Sequence, residues 1–279
     1  MKINAKSFLL LLGAAAILNA CDIIKGDKVD PNGFAGSTNK VLIEDFTGHM
    51  CGNCPRAHEQ AAALLETYGE NLVVVAVHAG GFASVVPSLG YSTDFRTSMG
   101  TELEQYYHAD QQGLPIGMVN RRTWNGAVLT RYPDWSTFAS TVLAEAPKMK
   151  IELDPSYNPS NHSVAVDVNI EYQSTGNESH QLVLLITEDG IVSKQADYDT
   201  TTQHIDDYVQ NHVLRGTITP GTWGVPIKNA DIFLGEKFSM SYEKALDSTW
   251  VASNCHVVAY VLDNTTKEIL QVEEVDLNN

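Results

Sequence analysis

The run NLVVVAVH, residues 71–78, constrains the fold of this chain more than any other stretch. Its apolar residues follow one another without interruption, so both faces of the strand that it predicts must be buried. Strands of this kind occupy the middle of parallel sheets, where both faces are covered. The chain should therefore contain a parallel sheet with this segment away from its edges.

A second strand and a helix are predicted just before that run. VLIEDF, residues 41–46, has the composition of a strand, and apolar residues recur at helical spacing from Ala57 to Tyr68. A strand, a helix and a strand within about forty residues form a βαβ unit. The two strands should therefore be parallel neighbours, with the helix covering one face of the sheet.

Two cysteines, Cys51 and Cys54, lie at the junction between the first strand and the helix. A pair with this spacing can be a redox couple, a structural disulfide or part of a metal site. The last alternative would recruit His49 and His58 as additional soft ligands. Proline follows the pair where c-type haem attachment needs histidine, so that function is excluded. We favour the redox couple, then the structural disulfide, and predict neither a metal nor a cofactor.

The position of the pair has chemical consequences. Cys51 should lie at a solvent-facing helix N-terminus, where unpaired amides and the helix dipole lower the pKa of a thiol and make it the attacking group. Cys54 falls on the buried stripe of the helix and would resolve the mixed disulfide. Asp45 should point into the core, where burial raises the pKa of a carboxyl group and lets it exchange a proton with Cys54.

After Pro147 the sequence changes from helical to strand periodicity. SVAVDVNIEY, residues 163–172, alternates apolar and polar residues, and further short strand patterns follow with turn residues between them. This rhythm predicts an antiparallel β-sandwich over residues 148–279. The preceding α/β domain should cover residues 40–147, with an insertion at 79–110.

The N-terminus has the anatomy of an export signal. Lys2 and Lys6 precede an apolar run that is too short to span a bilayer. The ending LNAC resembles a lipobox, so residues 1–20 are predicted to be a lipoprotein signal peptide, with a lipid anchor on Cys21. A polar tether at 21–39 would follow. A secreted protein cut elsewhere and an uncleaved anchor are the alternatives.

Charge and the remaining cysteine narrow the function further. The formal net charge of −16 argues against a nucleic-acid partner, because phosphate binding needs a basic face. Outside the cytoplasm a close cysteine pair can be oxidised. Cys255 lies in an apolar strand pattern and should be a buried, unreactive thiol. Arg121 and Arg122 are expected at a solvated strand end.

Several features in this order resemble the thioredoxin fold. Asp45 lies six residues before Cys51, the cysteine pair opens a helix, and Leu114 and Pro115 precede a strand. The resemblance implies that Pro115 is a cis-proline facing the pair and that, with Leu114, it contacts a protein thiol or disulfide substrate. Gly52 and Asn53 differ from the common Gly-Pro pair, so reductase, oxidase and isomerase stay open.

Nearly the whole chain resembles a more specific family. The lipobox, VLIEDFTGHMCGNCP, PIGMVNR and NHVLRGTITPGTWG are similar to the Bacteroidetes outer-membrane lipoproteins named for a twenty-eight-kilodalton outer-membrane protein. This resemblance implies an outer-membrane lipoprotein with a thioredoxin-like domain followed by an immunoglobulin-like sandwich. Two functions stay open: an oxidoreductase that uses Cys51, Cys54 and Asp45, and a surface-binding lipoprotein in which the disulfide is structural.

Overall fold

The computed structural model describes residues 38–277, which form a mixed α/β structure with three helices and several sheets. The helices are α1 (Cys54–Tyr68), α2 (Ser98–Tyr107) and α3 (Trp135–Leu143). The strands are β1 (Val41–Thr47), β2 (Leu72–His78), β3 (Ile116–Val119), β4 (Met149–Asn158), β5 (Ser163–Tyr172), β6 (His180–Glu188), β7 (Ile191–Ala196), β8 (His204–Gln210), β9 (Val213–Thr217), β10 (Val225–Pro226), β11 (Lys237–Ala245), β12 (Cys255–Asp263) and β13 (Ile269–Asp276).

The predicted βαβ unit is present. Strands β1 and β2 pair in parallel, from Val41 opposite Leu72 to Thr47 opposite His78, and α1 connects them. Every residue of both strands is buried, because the sheet is covered on both faces. Strand β3 pairs antiparallel with the other side of β1. The prediction of a buried parallel pair is confirmed.

The large sheet continues beyond this unit into the second half of the chain. The free side of β2 pairs in parallel with β9, and β9 leads through β6 and β12 to β13. Residue 147 lies between α3 and β4, yet strands from both sides of it belong to one eight-stranded sheet. This pairing supplies β2 with a second neighbour, so the polar backbone groups on that side of β2 do not form an open sheet edge.

A second layer covers part of this sheet. Strands β4, β5 and β11 form a three-stranded sheet, and its inner side chains share one apolar core with those of β6 and β12. The alternation predicted for β5 is confirmed, because one face of the strand is buried and packs into this core, with Val164, Val166, Val168, Ile170 and Tyr172. Strands β7 and β8 form a separate two-stranded hairpin.

Arg121 is not at a solvated strand end, and that prediction is wrong. Its Nε and Nη2 atoms donate hydrogen bonds of 2.7 and 2.6 Å to the two carboxylate oxygens of Glu44 in β1, and Nη2 also donates to the Tyr260 hydroxyl at 2.8 Å. The side chain has no exposed surface, because Glu44 points inward from the neighbouring strand and supplies the opposite charge. Arg121, which follows β3, is therefore connected to β1 by the ion pair and to β12 by the hydrogen bond to Tyr260.

Two further predictions concern Cys255 and the N-terminal segment. Cys255 is buried, as predicted, and burial raises the pKa of its thiol to about 12, which disfavours the reactive thiolate. The predicted signal peptide, the lipid-bearing Cys21 and all but the last two residues of the tether lie outside the described residues. Within residues 38–277, no helix has the length and apolar character that crossing a membrane requires.

Candidate functional site

Cys51 and Cys54 form a disulfide in the turn between β1 and α1, with their Cα atoms 5.4 Å apart. Cys54 is the first residue of α1, and its N–H donates a hydrogen bond of 3.2 Å to the carbonyl of Cys51. The helix therefore begins at the second cysteine, and the first lies in the turn that precedes it.

The pair is more enclosed than the sequence suggested. Cys51 is 3% exposed and Cys54 has no exposed surface, so the expectation of a solvent-facing Cys51 is wrong. The β7–β8 hairpin packs against the loop that carries the pair. The Ala196 N–H donates to the His49 carbonyl at 2.7 Å, and the Tyr198 N–H donates to the Gly52 carbonyl at 2.9 Å.

A buried glutamine strengthens this contact. The amide nitrogen of Gln195 lies 3.0 Å from the Cys51 carbonyl oxygen and 3.3 Å from that of Gly48. The Gln195 side-chain oxygen accepts a hydrogen bond of 3.0 Å from the amide of Gln210 on the partner strand. Buried polar groups need such partners, so this network fixes the hairpin to the cysteine loop.

Three side-chain contacts surround that network. The Tyr198 ring lies where a Cβ atom on Gly52 would be, only 2.4 Å from that position. Asp199 forms a bidentate ion pair with Arg56 of α1, and both side chains are exposed. The Tyr208 hydroxyl is 2.8 Å from Nδ1 of His58. Sequence reasoning missed Tyr198, Asp199 and Tyr208, because their partners lie about 145 positions away in the chain.

Asp45 lies in β1 and is 1% exposed, as its position on the strand predicted. Burial raises the pKa of its carboxyl group well above the usual range. Burial also lowers the pKa of His58 to about 4. The two side chains approach to 3.7 Å, and burial disfavours the charged form of each, so opposite charges are not what holds them together. Within the described residues, Oδ1 of Asp45 has no hydrogen-bond partner.

A small cavity of about 200 Å³ adjoins this carboxyl group. Its lining includes Asp45, His58, Tyr208 and His212. His58 spans the space between the Thr47 hydroxyl, at 2.9 Å from Nε2, and the Tyr208 hydroxyl. The arrangement can hold a few water molecules and pass a proton between the buried acid and the surface.

The loop that contains Pro115 lies beside the cysteine loop. The Leu114–Pro115 peptide bond is cis, and Pro115 is buried directly before β3. Leu114 and Met50, which precedes Cys51, line the same pocket of about 390 Å³. Leu114, one of the two predicted substrate-binding residues, therefore lies in the same pocket as the residue that precedes Cys51.

The histidines near the pair are engaged in other contacts. His49 is buried, and its Nε2 atom is 2.9 Å from the carbonyl oxygen of Ser84. The two cysteine sulfurs bind each other rather than a third group. Within residues 38–277, no three His, Cys, Asp or Glu side chains are placed to hold a metal ion.

Fold and site together define a mixed α/β protein with a disulfide at a strand–helix junction. The model of the family Omp28, outer membrane protein, matches residues 101–279. This is more than half of the chain, so the chain belongs to the Omp28 family. Membership confirms the predicted family and the predicted location in the cell envelope, at the outer membrane. The match begins after the cysteine pair and therefore does not bear on its role.

Two solved structures with TM-scores of 0.50 or more show a similar fold at low sequence identity. HBP35 of Porphyromonas gingivalis has a TM-score of 0.60 at 13% identity, covering 87% of this chain and 76% of that chain. A structural-genomics protein of Agrobacterium tumefaciens has a TM-score of 0.50 at 14% identity, covering 88% and 97%. A domain of the outer membrane lipoprotein Omp28 from Porphyromonas gingivalis is 19% identical over 48% of this chain and 90% of that chain, with a TM-score of 0.31. No curated protein matches the sequence.

Proposed function

We propose that this protein is a thiol–disulfide oxidoreductase of the cell envelope that acts on thiols or disulfides of other proteins. The observation that carries the proposal is the disulfide at the strand–helix junction, with Asp45 buried in the strand that leads to it. The parallel β1–β2 pair, antiparallel β3 and the loop of Pro115 are similar to the thioredoxin fold. We extend the proposal to a thioredoxin-like unit over residues 40–147 and an immunoglobulin-like sandwich over residues 148–279.

The exchange proceeds in two displacements. A substrate thiolate attacks Sγ of Cys51, the Cys51–Cys54 bond breaks, and Cys54 leaves as a thiolate. Asp45, whose neutral form is favoured by burial, donates the proton that Cys54 takes up. A second substrate thiolate then attacks the substrate sulfur of the mixed disulfide and releases Cys51. The pair gains two electrons and the substrate dithiol loses two; reduction of a substrate is the reverse.

The substrate chain binds beside Leu114. In the described part of the chain, no hydrogen bond uses the N–H or the carbonyl of Leu114, so both are available to an extended segment. The shared pocket next to it is lined by the apolar side chains of Met50, Phe82 and Leu114. An apolar substrate side chain that enters this pocket brings its neighbouring cysteine towards Cys51.

Trapping of the mixed disulfide tests this function. Cys54→Ser removes the resolving thiol, so the variant should accumulate disulfide-linked partners through Cys51, seen on non-reducing gels. Cys51→Ser should accumulate far fewer, and Cys255→Ser is the matched control, because its thiol is buried and unreactive. Equal trapping by Cys54→Ser and by the variant that lacks both cysteines of the pair would refute the proposal.

The low exposure of Cys51 favours a second candidate function. A disulfide with 3% exposure at Cys51 can act as a permanent staple that holds the start of α1, while the protein binds a partner at the cell surface. The full-length variant with serine at both positions would then retain that partner in a pull-down. The full chain is required, because strands from both halves share one sheet.

A further inference from the structure

We propose that the β7–β8 hairpin is a movable cover of the cysteine pair, and that it must separate from the loop at residues 48–52 before the disulfide can exchange with a protein thiol. The inference deepens the proposed function, since it concerns the regulation of the same site. It rests on the position of the hairpin, on the nature of its contacts and on what those contacts hide.

The hairpin is structurally separable from the two larger sheets. Strands β7 and β8 pair with each other from Ile191 opposite Gln210 to Ala196 opposite His204, and form a sheet of their own. The outer face is open to solvent, with Val192 63% exposed and Val209 48% exposed. Segments with few buried apolar contacts open at low free-energy cost while the rest of the protein stays folded.

Its contacts to the cysteine loop are mainly polar. The polar contacts are the backbone hydrogen bonds from Ala196 and Tyr198 and the amide of Gln195, together with the exposed ion pair of Asp199 with Arg56 of α1. The Tyr198 ring against Gly52 is the main other contact. Water can replace each of the polar partners when the hairpin moves away, and exposed ion pairs contribute little to stability. These contacts therefore favour the closed state, while the free energy of opening stays small.

The hairpin also occupies the place of an extended polypeptide. Ala196 and Tyr198 are two residues apart, and their N–H groups donate to the carbonyls of His49 and Gly52, on either side of Cys51. A bound polypeptide segment would make backbone hydrogen bonds of this kind to the two carbonyls. A substrate chain that approaches the sulfurs from this side must displace the hairpin.

One movement would uncover both reacting parts of the site. Tyr208 of the same hairpin bonds to His58 and lines the cavity next to Asp45. Separation of the hairpin therefore opens the disulfide to a thiol and the buried acid to water together. In the closed state, exchange with solvent thiols and protons is restricted at both places.

The rate at which dithiothreitol reduces the disulfide tests the cover directly. One thiolate of the reagent attacks Cys51, Cys54 leaves and is protonated, and the second reagent thiolate closes the oxidised ring and releases Cys51. The double variant Tyr198→Gly, Asp199→Asn lacks two of the contacts that hold the hairpin closed. Its disulfide should be reduced about three- to tenfold faster, measured as the rate at which free protein thiols appear. Asp207→Asn makes the same charge change on the same hairpin and should leave the rate unchanged.

Equal reduction rates for the variant, the control and the unmodified protein would overturn the proposal. Hydrogen exchange of the unmodified protein supplies a second criterion that needs no substitution. The amides of Ala196 and Tyr198 should exchange much faster than those of β5 and β12, and equal protection would also overturn the cover.

Failure of the cover is distinguishable from failure of the enzyme. If the hairpin variant is reduced faster but Cys54→Ser traps no partner, the oxidoreductase is wrong and the cover stands. If Cys54→Ser traps partners while all reduction rates are equal, the enzyme stands and the cover is wrong.

Discussion

At the scale of single residues, Asp45 shows how burial sets the protonation of the site. The carboxyl group has no nearby cation at pH 7, because burial keeps its neighbour His58 neutral as well. Desolvation therefore acts alone and favours the neutral acid.

Replacing this acid should change the pH dependence of stability. The pKa of Asp45 is higher in the folded than in the unfolded chain, so its contribution is fully present below the unfolded pKa and is lost as pH rises through the folded pKa. Asp45→Asn should remove that loss. The Tm of Asp45→Asn should exceed that of the unmodified protein near pH 8, and the gain should shrink towards pH 4. Each kcal/mol of unfolding free energy gained should raise the Tm by about 2–4 °C.

The exposed Asp231→Asn is the control for this measurement by scanning calorimetry. This substitution changes the same functional group at an exposed position, so the variant should show no such pH-dependent gain in Tm. A gain for Asp45→Asn that is the same at both pH values would mean that the carboxyl group is not desolvated in the native state.

Gly52 and Tyr198 provide a steric test of the hairpin contact. A Cβ atom on Gly52 would lie 2.4 Å from the Tyr198 ring, so Gly52→Ala should destabilise the native protein by about 1 kcal/mol. In a Tyr198→Ala background the cost should disappear, and a double-mutant cycle of urea unfolding measures the coupling. Gly81→Ala, where a Cβ meets open space, is the control. Additive effects of Gly52→Ala and Tyr198→Ala would show that the ring does not rest on the glycine.

At the scale of elements, local periodicity predicts the strands and helices that bury an apolar stripe. Strands β1, β2, β5 and β12 and helix α1 lie where the sequence places them, because each carries its own hydrophobic pattern. Strands β7 and β8 were not predicted. Their sequences are polar and irregular, and their contacts are with a loop far away in the chain.

The same limit explains what the sequence revealed of the candidate site. The positions of Cys51, Cys54 and Asp45 follow from the strand–helix junction and from strand alternation, and both are local properties. The low exposure of Cys51 depends on Gln195 and Tyr198, which no pattern near the cysteines indicates. The contact of β2 with β9 is equally invisible, because pairing partners are chosen by tertiary packing.

The buried pair of Arg121 and Glu44 connects elements and should be sensitive to loss of either charge. Arg121→Met leaves the Glu44 carboxylate buried without a partner, so unfolding free energy should fall by about 3–5 kcal/mol in urea titrations. The exposed pair of Arg96 with Asp94 offers a matched control, for which Arg96→Met should cost less than about 1 kcal/mol. Similar costs for the two variants would contradict the buried geometry.

At the scale of the whole molecule, one sheet runs through both halves of the chain. Residues before and after position 147 contribute strands to it, and β2 pairs directly with β9. Unfolding should therefore be a single cooperative transition in calorimetry, with equal calorimetric and van't Hoff enthalpies. Two separate transitions would show that the halves are independent domains, as the change of pattern at Pro147 predicted.

The response of the molecule to alkali should depend on His256. A hydrogen bond with Asp189 is the main cause that raises its pKa to about 9. The resulting stability is fully present below the unfolded pKa, about 6.5, and is lost as pH rises through about 9. His256→Gln should therefore cost about 2–3 kcal/mol in urea unfolding near pH 6 and almost nothing above pH 10.

The exposed His108→Asn is the control for that measurement and should not reproduce the pH dependence. The carboxyl group of Glu274 also contributes stability that is lost as the pH rises, but over a lower pH range. Burial raises its pKa to about 7, so its contribution is lost between the unfolded pKa and that value. A cost of His256→Gln that does not change between pH 6 and pH 10 would rule out the linkage.

The β7–β8 hairpin ends at Gln210, whereas the cysteines occur more than 140 positions earlier in the chain, at 51 and 54. A chain that emerges amino end first thus presents both thiols to its surroundings long before strands β7 and β8 arrive. Oxidation of the nascent polypeptide can be completed in that interval, without any opening movement. The order of synthesis therefore leaves the pair accessible to an oxidant before the hairpin can pack against it.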